Sequence, residues 1–420
     1  MSMTPEPKVT PSVVDVVGLF DLRQGLRYAS DATVAGLLAH GALVRKHVVD
    51  GQLREVAVAG AEGPSKINLV HLNPDQFVAT RQFPHQDLQY ESRLNAIVPF
   101  WEVTSTPKSW RNVLQGVDVV VAPTPFVAQI MRDVVPPTCV LEHRVVIPVP
   151  QVTANRVRFG IMDTSVAFGF SFGSEAIIPR KNPIAVLDAF RFAFPSDSDV
   201  QLVIHVNPTG PSGTTVVREL LQSSANDPRI TVLDSSLSYE DVLSFYASLD
   251  AYVSLHRAEG LGLPLMESMA LGTPVIATGW SGNMGFMSAD DSLLVKYQLV
   301  KVKGRGIGPY DSYLLETAAT WAEPDLSDAV RAMRAFHSNR DFRNQLRGSA
   351  KQAYVKAWSR AQAQDLRAEL TSLQQERGPG SQGHEARAST LRGLDLKILN
   401  PPWRHRARQA MARRLGRRTY

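Results

Sequence analysis

Short apolar runs rich in Val and Ile recur along the chain, each about the length of a strand. The first series is VVDVVGL (13–19), KINLVHL (66–72), LNAIVPF (94–100) and VDVVVA (117–122). Their apolar residues are consecutive rather than alternating, which predicts strands buried on both faces of a parallel sheet. Between the first two runs, DATVAGLLAHGALV has helical spacing and predicts a helix face of Val34, Leu37, Leu38 and Leu43. A second series begins near Val166: VAFGFSF, VQLVIHV (200–206), RITVL (229–233), AYVSLH (251–256), PVIAT (274–278) and SLLVKY (292–297). Repeated βα units predict doubly wound parallel sheets with helices on both faces. Two such series, with Pro148 and Pro150 at the joint, predict two domains, over residues 13–152 and 157–330. Residues 331–377 then read as helices packing back, and 378–420 as a linker (GPGSQGHEARAST, 378–390) and a tail.

Composition keeps the chain in the globular class. With 420 residues, 44% hydrophobic and 20% charged, it excludes collagen-like and wholly disordered readings. The single cysteine, Cys139, has no intrachain disulfide partner; it reads as a small buried hydrophobe in a reducing compartment. The start from Met1 to Pro11 lacks signal-peptide character, and no run has the roughly 18 apolar residues of a spanning helix. The expected location is therefore cytoplasmic. The formal charge of +5 is unevenly spread. Residues 401–420 hold seven arginines (Arg404, Arg406, Arg408, Arg413, Arg414, Arg417 and Arg418) and no acid, which leaves residues 1–400 slightly negative. Trp403, Ala407, Ala410, Met411 and Leu415 share one face if this tail is helical. Two readings of it stand: a solvated end, or a basic interfacial helix making peripheral contact with anionic lipid at the inner face of a membrane. Nucleic acid is not an expected partner, because Trp403 and Tyr420 are the only aromatics in the tail.

The densest chemistry lies in SLHRAEGLGLPLMESMALGTPVIATGWSGN, residues 254–283. A strand end is followed by a Gly-punctuated loop, with Pro264 suited to the first helical position and Gly272 to the stop. Glu259 sits at the loop tip and Glu267 in the early helix. The flanking glycines let the amides of Gly260, Leu261 and Gly262 approach a ligand closely. A helix N-terminus favours phosphate, and carboxylates beside it accept from sugar or ribose hydroxyls. In IIPRKNPIAVLDAFRFAF (177–194), Asn182 reads as an N-cap and Pro183 as a first helical residue, so Arg180 and Lys181 stand where an anion would be bound.

The 254–283 stretch resembles the donor-site signature of the family four retaining glycosyltransferases, whose GT-B fold has two facing Rossmann-like domains. The resemblance implies that Glu259 contacts the donor sugar, Glu267 the ribose, and Lys181, with Arg180 beside it, the donor diphosphate. NLVHLNPDQF (68–77) and NAIVPFWEV (95–103) resemble the family's first domain, and make His71, Asn73 and Glu102 candidates at the cleft, facing the transferred sugar or the acceptor. In LFDLRQGLRYASDA (19–32) the family often has a Gly-rich segment, of which Gly25 remains, followed by bulky Leu26, Arg27 and Tyr28. The Ser281, Gly282, Asn283 turn is retained, while Gly285 stands where relatives commonly have an acid.

The implied activity is retaining transfer of a hexose-type sugar from a nucleotide-diphosphate sugar to a glycan, lipid-linked or other envelope acceptor. No cofactor is expected beyond that donor substrate, and no metal. The Asp197-Ser-Asp199 acids precede a strand rather than follow one, at the end away from the expected cleft. A dinucleotide-dependent oxidoreductase is disfavoured by the lack of G-x-G-x-x-G after either opening strand. The alternative is a catalytically silent glycan- or nucleotide-sugar-binding scaffold on the same fold.

Overall fold

The computed structural model describes residues 13–20, 25–49, 53–56, 61, 63–80, 88–173, 178–208, 215–302, 318–381 and 383–392. The first half builds β1 (Val13–Gly18), α1 (Gly25–Ala39), β2 (Leu43–Val49), β3 (Leu53–Val56), β4 (Ser65–His71), α2 (Pro74–Thr80), β5 (Leu94–Ile97), α3 (Lys108–Gly116), β6 (Val119–Ala122), α4 (Pro125–Arg132) and β7 (Val140–Glu142). Its strands form one sheet in the order β3-β2-β1-β4-β5-β6-β7, parallel except for the β2–β3 pair. The strand order reverses beside β1, so the carboxyl ends of β1 and β4 open on a crevice.

The second half contributes β8 (Val166–Gly173), α5 (Ile178–Lys181), α6 (Pro183–Ala193), β9 (Val200–Asn207), α7 (Thr215–Asn226), β10 (Ile230–Asp234), α8 (Tyr239–Ser248), β11 (Ala251–Ser254), α9 (Leu263–Ala270), β12 (Val275–Thr278) and β13 (Leu293–Val295). Its strands form a parallel sheet in the order β10-β9-β8-β11-β12-β13. The central strands β8, β9, β11 and β12 are almost wholly buried, as their consecutive apolar residues require.

A two-stranded antiparallel hairpin, β14 (Tyr297–Lys301) and β15 (Thr320–Pro324), then lies between the halves. Its Ala319, Trp321 and Ala322 pack with Trp101, Val103 and Trp110 of the first half. Four helices follow: α10 (Leu326–Ser338), α11 (Arg340–Gln362), α12 (Leu366–Arg377) and α13 (His384–Arg392). Helix α11 starts on the second half and ends on the first, where the Tyr354 hydroxyl donates to Ile147 O at 2.9 Å. Ala361, Leu366 and Leu370 join the core of the first half.

Several expectations change. Leu38 is 43% exposed and Leu43 begins β2; the buried face of α1 runs through Ala29, Ser30, Thr33, Val34 and Leu37. Gly41, at φ +78°, ends the helix before Leu43 can join it. The stretch 378–390 is not simply a linker, because its second half forms α13 against α3. There Arg387 Nε donates to the buried Asp118 at 2.6 Å, and His384 Nδ1 lies 3.4 Å from the same oxygen. Cys139 is only partly buried and receives a hydrogen bond from Arg377 Nη1. The basic tail, residues 401–420, lies outside the described residues.

Away from the crevice, a polar row crosses the buried first sheet. Asp15 is registered with Arg45 and Asn68, and Asn68 with Asn95. Arg45 donates to both Asp15 oxygens at 2.7 and 3.2 Å, and Arg93 adds a third bond to that carboxylate. Asn68 Nδ2 donates to Asn95 Oδ1 at 3.0 Å, and the Asn95 amide donates to Asp118 at 2.8 Å. Burying such charges is tolerable only when each has partners, and here the chain supplies them from five strands and loops and from α13.

Candidate functional site

The loop after β11 and the turn at α5 are stitched together by backbone and side chains. The Arg257 amide donates to Arg180 O at 2.8 Å, and Arg180 Nη1 donates to Ala258 O at 2.8 Å. Asn182 follows the turn with φ +55° and does not cap α6; its side chain donates instead to Leu255 O at 3.0 Å. Pro183 opens α6 as the sequence predicts. This stitching brings both cations of the turn onto the loop acid. Lys181 Nζ lies 2.5 Å from Glu259 Oε1, and Arg180 Nη1 lies 3.3 Å from Glu259 Oε2.

The second acid comes from the other half of the molecule. Glu102, in the segment after β5, approaches Arg180 Nη2 at 3.7 Å. A Cβ at Gly260 would sit 3.4 Å from Trp101 O and 3.5 Å from Glu102 Cγ, so the loop and the Trp101-Glu102 segment are in contact. Glu259, which is buried, and the partly buried Lys181, Arg180 and Glu102 thus form one group across the two halves. Burial pushes the Glu259 carboxyl up, but Lys181 and Arg180 outweigh it and hold the group down at about 2. Burial pushes Glu102 above the usual carboxylate range, with Arg180 opposing and Glu259 reinforcing. Lys181 is lowered by its burial, against the pull of Glu259. Arg180 is raised: burial opposes its charge, and Glu102 and Glu259 more than compensate. Its Nε is buried without a hydrogen-bond partner among the described residues, a donor still available inside the group.

Around the acid, the Ser281-Gly282-Asn283 turn braces the loop. The Glu259 amide donates to Ser281 Oγ and the Gly282 amide to Glu259 O, both at 2.8 Å. Ser281 holds φ +81°, and a Cβ at Gly282 would fall 2.2 Å from Gly260 O, so this approach admits only glycine. Asn283 is fully buried; its Oδ1 lies 3.2 Å from His256 Nε2 and its amide nitrogen donates to Thr278 O. Asn283 therefore supports the loop from beneath. The turn reaches the first half through Gly285, whose added Cβ would touch Pro125 at 3.4 Å.

Glu267 is buried in α9 at 5% exposure, and burial pushes it up to about 8, partly offset by the Tyr239 hydroxyl. Tyr239, which opens α8, stacks on Tyr28 of α1 with ring centres 4.4 Å apart. Gly25, the first residue of α1, is packed so closely that an added Cβ would fall 2.8 Å from Leu263. Gly262 precedes α9 at φ +88°, and Leu261 is buried among side chains of the first half. Pro264 is the second residue of α9, one later than expected, and Gly272 at φ +78° follows its end as expected.

At the end of β4, His71 is fully buried, with both ring nitrogens lacking hydrogen-bond partners among the described residues. Burial, with His143 nearby, lowers it to about 3, so the ring is neutral. No ion pair or hydrogen bond joins it to the Glu259 group among the described residues. Asn73 ties the strand ends together, accepting from the Phe100 amide at 2.8 Å. Asp199, of the Asp-Ser-Asp stretch, pairs with His337 at 3.0 Å, and no cluster of three metal-ligating side chains occurs among the described residues. Arg257 and Glu323, which bracket the cation turn, and the Tyr28–Tyr239 stack carry no motif that would single them out in the sequence.

Residues 171–297 match the family model described as glycosyl transferases group 1. No curated protein matches the chain in sequence. Among solved structures it is similar to Anabaena HepE in complex with UDP and glucose, at 11% identity over 86% of this chain and 100% of that one, TM-score 0.58. It is similar to sucrose-phosphate synthase from Thermosynechococcus elongatus at 13% identity over 86% and 99% of the two chains, TM-score 0.58. It also resembles the pneumococcal O-GlcNAc transferase GtfA in complex with UDP and GlcNAc, at 12% identity over 73% of this chain and TM-score 0.47. The alignment covers 56% of GtfA, so the chain spans little more than half that protein's length. At these identities the likeness is one of fold. The two facing sheets with their returning helices are the GT-B fold of glycosyltransferases, and the second half carries the group 1 glycosyl transferase family match.

Proposed function

We propose that the protein is a retaining glycosyltransferase that moves a hexose-type sugar from a nucleotide-diphosphate sugar to a glycan, lipid-linked or other envelope acceptor, without a metal ion. The observation that carries this is the convergence of Lys181 and Arg180 on Glu259 and Glu102 between the carboxyl ends of two facing sheets. Two cations held together in a buried site are suited to a diphosphate leaving group, whose charge grows as the bond from the anomeric carbon to the phosphate oxygen breaks. The acceptor oxygen bonds to that carbon from the same face, and its proton passes to the departing phosphate oxygen. This path asks the protein for placement and positive charge rather than for a nucleophile.

Glu259 orients the donor sugar, Glu267 meets the ribose, and Glu102 or His71 acts at the sugar face. The unpartnered nitrogens of His71 suit a ligand hydroxyl. Gly260, Leu261 and Gly262 line the donor loop, Asn283 supports it, and Gly25 closes it from the first half. The test is a screen of nucleotide sugars for thermal stabilisation and turnover, headed by UDP-glucose, which Anabaena HepE binds on the same fold. Lys181→Ala is expected to lower turnover by at least about 100-fold. Full activity in that variant refutes the assignment, and wild-type binding without turnover favours the silent scaffold.

The protein works at the inner face of a membrane, with the arginine-rich residues 401–420 against anionic headgroups. The comparison is between full-length chain and a chain ending at Arg392, which keeps α13. Full-length protein is expected to co-sediment with phosphatidylserine vesicles at low salt and the shortened chain to stay in solution. Equal partitioning removes the membrane contact.

A further inference from the structure

Arg257 stands two residues before Glu259, and its guanidinium is bound to Pro179 O and Glu323. Its Nη1 donates to Pro179 O at 2.6 Å, while its amide donates to Arg180 O, so it holds the α5 turn at two consecutive carbonyls. Glu323 on β15 accepts from the rest of the guanidinium, from Nε at 2.5 Å and Nη2 at 2.8 Å. This fork-to-fork pairing fixes the plane as well as the position of an arginine. The Trp321 ring lies beneath it at 5.5 Å, and the Ala322 amide donates to Arg257 O at 2.9 Å.

Two residues earlier on the same edge of β15, the hairpin holds the first half. The Thr320 amide donates to Thr104 Oγ1 at 2.9 Å, and the Thr104 amide to Thr320 O at 3.3 Å. Thr104 is two residues from Glu102, and Trp101 packs in the same cluster as Trp321. The β14–β15 hairpin is therefore a bracket with one end on the segment that carries Glu102 and the other on the turn that carries Arg180 and Lys181.

We infer that Arg257 and Glu323 are positioning residues, which hold the 178–181 turn so that Arg180 and Lys181 are presented together to a diphosphate. The inference rests on the proposed role of that cation pair in binding the donor. Neither residue touches the donor. Glu323 anchors the guanidinium, and the guanidinium anchors the two carbonyls that set the direction of the cations.

The test compares wild-type protein with Glu323→Gln, an isosteric change at a half-exposed position that preserves the fold, and with Glu323→Asp, which keeps the anion. Hydrogen exchange is followed at the Asn182 and Arg257 amides, which close the turn and its link to the loop, and affinity is measured with UDP. In Glu323→Gln, exchange at these amides is expected to quicken by about ten-fold while β8 and β9 are unchanged, and UDP affinity to fall by about ten-fold. Glu323→Asp is expected to restore part of both. Unchanged exchange at the turn overturns the inference, as does faster exchange with unaltered UDP affinity. Failure of the wild-type protein to bind any nucleotide diphosphate overturns the donor role of the cations, and this inference with it.

Discussion

Glu267 carries a charge state at odds with the role the resemblance implies for it. As a ribose contact it would be drawn as a carboxylate, yet burial in α9 lifts it to about 8, so in the free protein it is protonated at neutral pH. A carboxyl raised above its unfolded value stabilises the fold fully below about pH 4.5, and that contribution drains away as pH rises toward 8. Glu267→Gln should therefore match wild type in urea unfolding near pH 4 and exceed it by on the order of 3–5 kcal/mol above about pH 9. Parallel stability profiles for the two proteins would show that Glu267 titrates in the fold as it does in the unfolded chain. Glu259 has the opposite sign. Its stabilisation is complete above about pH 4.5 and lost as pH falls toward 2, and replacing it leaves Lys181 and Arg180 short of an anion. Loss of activity at Glu259 must then be read against a stability loss of about 3–5 kcal/mol.

At the scale of elements, α13 shows how far local sequence can mislead. Its flank, GPGSQG, has the composition of a linker, and nothing nearby explains a helix. The reason lies 266 residues earlier, at Asp118, which is buried and takes Arg387 and His384 as partners. Ending the chain at Arg377 removes both. It should lower stability by about 3 kcal/mol relative to a chain ending at Arg392, measured by chemical unfolding, because a buried carboxylate loses its cation. Equal stability would make α13 a passive appendage. The same logic divides what was legible from what was not. Strands such as β1, β4, β8 and β9 announce themselves because burial on both faces leaves only consecutive apolar residues. Strand β2 has no such signature, because Arg45 and His47 look like surface residues until Asp15 is seen opposite them. The β14–β15 hairpin is equally silent in the sequence, because its polar residues Thr320 and Glu323 are satisfied by the distant Thr104 and Arg257. Glu259, Lys181 and Arg180 were legible from glycine spacing and helix-start residues within single loops. The contact of Glu102 with them was only inferable from strand order, since it joins residues 78 or more apart.

At the scale of the whole molecule, more than the Pro148–Pro150 joint and the contacts at the site holds the two halves together. Added to these are the hairpin between Thr104 and Arg257, the Tyr28–Tyr239 stack, and the helices α11 to α13 returning to the first sheet. The last has a consequence for how the protein is made. The first sheet is complete by Glu142, but the helices that cover its core and pair Asp118 are the last described elements of the chain. At about 5–20 residues per second, a ribosome needs on the order of tens of seconds to deliver them. For that interval the leading half of the nascent chain carries an uncovered apolar face and an acid without its cation, a state in which chaperones would find it.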